Sequence, residues 1–62
     1  MIRIWAKYKR GITEEVDTAP NEKTARNLVA EYQMAYGSDY TVWSGRKSDD
    51  PGASTRSHAA AH

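Results

Sequence analysis

Sixty-two residues without a cysteine exclude a disulfide framework and a thiolate metal site, and sit near the lower limit for a domain that folds unaided. Nine basic against eight acidic side chains leave a net charge of +1, a balance that lacks the strong basic excess of a dedicated nucleic-acid binder. Apolar runs are a few residues long, so no segment reads as a membrane span or a secretion signal, and a cytoplasmic setting is the expectation that fits a cysteine-free chain.

Residues 2–8 alternate, with Ile2, Ile4, Ala6 and Tyr8 on one side and Arg3, Trp5 and Lys7 on the other. A period of two marks a strand with one buried face. Residues 12–18 alternate again, Ile12, Glu14 and Val16 against Thr13, Glu15 and Asp17. The intervening Lys9-Arg10-Gly11 fits a three-residue hairpin loop with Gly11 in the left-handed position. That loop pairs Tyr8 with Ile12 and Ile4 with Val16, which keeps apolar residues together. A two-residue loop would pair Ile4 with Asp17 and mix the faces. Glu14 lands on the core side, which an edge strand tolerates because its carboxylate reaches water.

Pro20 belongs at or before a first helical turn, with Asn21 or Ala19 as the cap. From there to Tyr36, the residues Ala25, Leu28, Val29, Tyr32, Ala35 and Tyr36 follow one helical face. Gly37 supplies the C-terminal stop. A third strand follows over residues 40–46, with Tyr40, Val42 and Ser44 facing one way and Thr41, Trp43 and Gly45 the other.

The order β-β-α-β, with a crossover that keeps the helix on one side, places the third strand beside the first. The predicted fold is α+β: an antiparallel three-stranded sheet of order 2-1-3 with one helix on one face. Ile2, Ile4, Ala6, Tyr8, Ile12, Val16, Tyr40 and Val42 would form the core against the helix. Residues 1–47 make up the domain. Residues 48–62, small and polar and broken by Pro51 and Gly52, read as a disordered tail.

Chemistry-bearing constellations are missing from the pattern. His58 and His62 are spaced i, i+4 in the tail, but no third ligand accompanies them and Ala59 stands where a zinc-protease motif needs glutamate. Glu14 and Glu15 point to opposite faces of a strand. Asp49 and Asp50 lie in the tail, away from any pocket. Ser38 and Ser44 have no evident base partner. The expectation is a protein that is not an enzyme, with no cofactor, no metal and no small-molecule substrate.

The sheet face away from the helix carries the candidate binding surface: Arg3, Trp5 and Lys7 on the central strand, flanked by Thr41 and Trp43. Two tryptophans side by side make an apolar patch of the kind that meets a partner. The leading expectation is a protein interface, with self-association as a homodimer or a protein partner. The alternative is nucleic acid, with the indoles as stacking platforms and Lys9, Arg10, Arg46 and Lys47 adding phosphate contacts. Glu15 and Asp17 on the same face count against that alternative. A third reading is a cross-strand pair that only stabilises the sheet, with Arg3 opposite Asp17 and Lys7 diagonal to Glu15.

Overall fold

A computed structural model describes residues 1–51. Strand β1 (Ile2–Tyr8) is central, β2 (Thr13–Ala19) and β3 (Tyr40–Gly45) flank it antiparallel in the order β2-β1-β3, and helix α1 (Glu22–Tyr36) packs on one face. A short 3₁₀ turn, Lys47–Asp49, follows β3. This is the expected α+β architecture. Among the described residues no helix is long and apolar enough to cross a membrane.

The hairpin turn differs from expectation in which residue takes the unusual backbone. Lys9 adopts φ +46°, and the Gly11 N–H donates to the Tyr8 carbonyl at 2.6 Å. Gly11 is needed for space instead: a Cβ there would stand 2.9 Å from the Tyr8 carbonyl oxygen. The Lys9 N–H turns toward the α1–β3 loop and donates to the Asp39 carbonyl at 2.8 Å. Ile12 falls in the loop and is 83% exposed, so it is not the core partner of Tyr8.

Register holds as expected from Lys7↔Thr13 through Trp5↔Glu15, then slips by one residue. Ile4 faces Asp17 rather than Val16, Arg3 faces Thr18, and Ile2 faces Ala19. Val16 is the extra residue of a β-bulge. The cause is legible in the burial: Val16 packs against the core and Ala19 is fully buried in it. Residues three apart cannot share a face of a regular strand. One inserted residue lets both reach the helix side, and it carries Asp17 there too.

Asn21 caps α1, its side-chain oxygen accepting the Thr24 N–H at 2.8 Å. At the other end Gly37, φ +91°, donates its N–H to the Gln33 carbonyl. Between them Ala25, Leu28, Val29 and Tyr32 press onto the sheet. The core proper is Ile4, Ala6, Ala19, Ala25 and Val42, rich in alanine, with Ile2, Val16, Leu28, Val29, Tyr32 and Tyr40 packed around it. Tyr8 and Tyr36, expected inside, are 46% and 37% exposed, and Ala35 is exposed. The two tyrosines reach the core's margin through ring contacts with Tyr40, at centroid distances of 5.1 Å from Tyr8 and 4.9 Å from Tyr36.

The packed residues run past the boundary expected after Lys47, since Asp50 is buried. The reading of the remaining tail, with His58 and His62, lies outside the described residues.

Candidate functional site: the sheet face opposite the helix

Side chains alternate along β1, so burying Ile4 and Ala6 under the helix sends Arg3, Trp5 and Lys7 to the opposite face. On β3 their direct partners are Gly45, Trp43 and Thr41. The two indoles therefore stand opposite each other, as the sequence reading placed them. What that reading missed is the chain that covers one of them.

At Gly45 the backbone takes φ +113°, a conformation that suits glycine, and the chain turns back on itself. A Cβ there would stand 2.7 Å from the Asp49 carboxylate. Residues 46–50 then fold against the open face. The Trp43 indole N–H donates to the Arg46 carbonyl at 2.9 Å, and the Trp5 indole N–H donates to the Gly45 carbonyl at 3.0 Å. The Asp49 carboxylate closes the turn by accepting the Arg46 N–H at 2.9 Å. Lys7 Nζ meets the Asp50 carboxylate at 2.6 Å.

Burial follows these contacts. Trp43 retains 5% of its surface and Asp50 7%, whereas Trp5 stays half-buried. The exposed tryptophan pair expected from the pattern is thus one accessible ring beside one covered ring. Lys7 pairs with Asp50 rather than sitting near Glu15. Arg3 has Thr18, not Asp17, across the strand, and its Nε lies 3.9 Å from Glu15 Oε1 in a solvent-exposed, weak pair.

A shallow hollow remains beside Trp5, lined by Met1, Arg3, Trp5, Gly45, Arg46 and Lys47. Among the described residues that line it none is acidic, though the Glu15 carboxylate stands at its edge beside Arg3. The turn at Gly45 brings Arg46 and Lys47 to the end of the sheet where Arg3 stands. Lys9 and Arg10, the other cations expected to contact phosphate, are exposed at the hairpin tip. Five strand steps, roughly 16 Å, separate Arg3 from Tyr8 at that end, and Lys9 lies over the Tyr8 ring at 5.5 Å. Thr41 is half-buried beside Lys7. The face thus gathers Arg3, Trp5, Arg46 and Lys47, and leaves Lys9 and Arg10 apart.

The bulge also changes the electrostatics. Asp17 sits on the helix side, where its carboxylate accepts the Tyr32 hydroxyl at 2.8 Å. That hydrogen bond, with smaller contributions from burial and from nearby negative charge, raises the Tyr32 pKa above the ordinary tyrosine value. A phenol held protonated in this way is the reverse of an activated nucleophile.

Two further features escaped the pattern. Gln33 clamps α1 to the outer edge of β3: its amide nitrogen donates to the Tyr40 and Gly37 carbonyls at 2.7 and 3.0 Å, and its amide oxygen accepts the Val42 N–H at 3.1 Å. This blunts an edge strand that would otherwise offer those groups to another chain. The second feature is a row of rings, Tyr32–Tyr36–Tyr40–Tyr8, with neighbouring centroids 4.9 to 5.6 Å apart. Its signal was available: Tyr32 and Tyr36 are i, i+4 on the helix, and Tyr8 and Tyr40 pair across strands.

Among the described residues no group of three or more His, Cys, Asp or Glu side chains stands close enough to hold a metal ion. In comparisons with known proteins the chain matches no family model, no curated protein and no solved structure at significant similarity.

Proposed function

We propose that the protein is a non-catalytic binding module whose open sheet face takes a phosphate-bearing chain, with single-stranded nucleic acid as the ligand class that uses all its parts. The observation that supports this reading is the convergence of Arg3, Arg46 and Lys47 around the partly exposed Trp5, with Glu15 the acid that stands nearest, in a weak pair with Arg3. An accessible ring gives a base somewhere to stack, and flanking cations hold the backbone on either side. Placing Asp17 on the far side of the sheet removes one of the two acids that weighed against this reading.

Three cations on a single strand give a salt slope of about −2 in log K against log salt, so affinity falls roughly 20-fold between 50 and 200 mM salt. Titration of a thymidine oligonucleotide, followed by tryptophan fluorescence at several salt concentrations, tests this. A response independent of salt, or no response, sinks the reading.

The second reading is a protein partner or a homodimer on the same face. It draws on Met1, 93% exposed, and Trp5 as the apolar part of the hollow. Against it stands the covering of Trp43, which removes one of the two tryptophans such an interface would use. Sedimentation equilibrium over a wide concentration range separates the two: a stable dimer whose assembly Trp5→Ala weakens would favour the second. A cytoplasmic location belongs to the same proposal and rests on the cysteine-free composition.

A further inference from the structure

Lys7 lies two residues from Trp5 on the same face of β1, yet it does not line the cationic hollow. Its ammonium is taken by Asp50 at 2.6 Å, and the two side chains keep 25% and 10% of their surface. The same fold-back covers Trp43, the second ring of the face. A carboxylate on a lysine makes the same kind of charge-assisted contact that a phosphate oxygen makes. We propose that Asp50 is an internal stand-in for ligand phosphate, and that Lys7 and Trp43 form a second, covered subsite for the same phosphate-bearing chain. The inference rests on the binding reading above and extends it from one nucleotide position to two.

Exchange of one anion for another is what makes the subsite accessible. Removing Asp50 without replacement would leave Lys7 poorly hydrated and unpaired, which is costly. A ligand phosphate arriving at Lys7 keeps that charge paired and displaces Asp50 from it. The indole N–H of Trp43 loses the Arg46 carbonyl in the same movement and gains solvent or ligand in its place. Gly45 is the natural pivot, because it alone joins β3 to the covering residues and already holds a backbone angle that other residues resist.

The test is Asp50→Asn, which keeps the side-chain volume and removes the charge. Relative to the unaltered protein, Asp50→Asn binds a thymidine oligonucleotide of at least four nucleotides about three- to tenfold more tightly, with a salt slope steeper by about 0.7 for the one added contact. In a Lys7→Ala background the Asp50→Asn change has no effect on affinity, because the site it unmasks is gone. A ligand-free reading comes from acrylamide quenching in a Trp5→Phe background, where Trp43 is the sole indole: quenching rises with Asp50→Asn, and in the Asp50 protein it rises with added salt.

Equal or weaker binding by Asp50→Asn, in a protein that does bind the oligonucleotide, overturns the inference and leaves the hollow around Trp5 as the whole site. If neither form binds, the ligand class fails and quenching decides the covering by itself. Increased quenching then supports Asp50 as the latch over Trp43, and unchanged quenching overturns it.

Discussion

Trp43 donates its indole N–H to the carbonyl of Arg46, three residues further along the chain, at 2.9 Å. The strand that carries the ring therefore also supplies the segment that buries it. This divides the labour between the two tryptophans: Trp43 is a packing residue in the free protein, and Trp5 is the ring that solvent reaches.

Trp43→Ala therefore lowers stability by about 3–5 kcal/mol, the usual cost of emptying a buried aromatic site. In a domain this small such a loss takes up most of the folding free energy. Trp5→Ala costs less, about 1–2 kcal/mol, because part of the ring is already in water. Urea melts of the two variants give the difference directly, and equal costs would contradict the division of labour.

Gly45→Ala separates the covering segment from the sheet. The substitution forces a side chain into φ +113° and puts its Cβ 2.7 Å from the Asp49 carboxylate, at a cost of about 1–3 kcal/mol unless the segment moves away. The expected result is a red-shifted tryptophan emission with an unchanged helical circular dichroism signal. A blue-shifted or unaltered emission would mean that the segment does not cover Trp43.

Gln33→Ala opens the β3 edge. It removes a side chain that makes hydrogen bonds to Val42, Tyr40 and Gly37, each net bond being worth about 1 kcal/mol. Amide exchange at Val42 should accelerate well beyond that at Ala6, its partner on the central strand. Unchanged exchange at Val42 would show that the clamp contributes nothing.

Stability should also respond to alkaline pH through Tyr32. Its pKa is raised in the folded chain by the hydrogen bond to Asp17, so the folded state holds the phenolic proton more tightly than the unfolded state does. The resulting stabilisation is complete below the unfolded value of 10.0 and is lost as pH rises through the higher folded value. Tyr32→Phe abolishes this component. A melting temperature that falls equally in both proteins above pH 10 would contradict the assignment.

Much of the fold was legible because local signals agreed. The alternation in residues 2–8, the Asn21 cap and the Gly37 stop each name one boundary, and together they give the topology. The bulge was not legible, because alternation through Val16 is regular. The demand for an extra residue comes from the burial of Ala19 under the helix, and nothing in the strand itself reports that. The covering segment was illegible for a different reason. Its residues are polar, and its contacts include backbone carbonyls accepting indole N–H groups and the Lys7–Asp50 ion pair, none of which leaves a hydrophobic period. The candidate site was therefore half visible: Arg3 and Trp5 from the pattern of β1, with Arg46 and Lys47 grouped beside them through the turn at Gly45.

Under the proposed function the cations around Trp5, and not those at the hairpin tip, hold an anionic chain. Fluorescence titration of a thymidine oligonucleotide at 50 mM salt tests it with two double variants, Arg46→Ala/Lys47→Ala and Lys9→Ala/Arg10→Ala. The expected result is that the first loses at least tenfold in affinity and about 1.4 in salt slope, two contacts at about 0.7 each, while the second stays within about twofold of the unaltered protein. The reverse ranking, or equal losses in both, would contradict it.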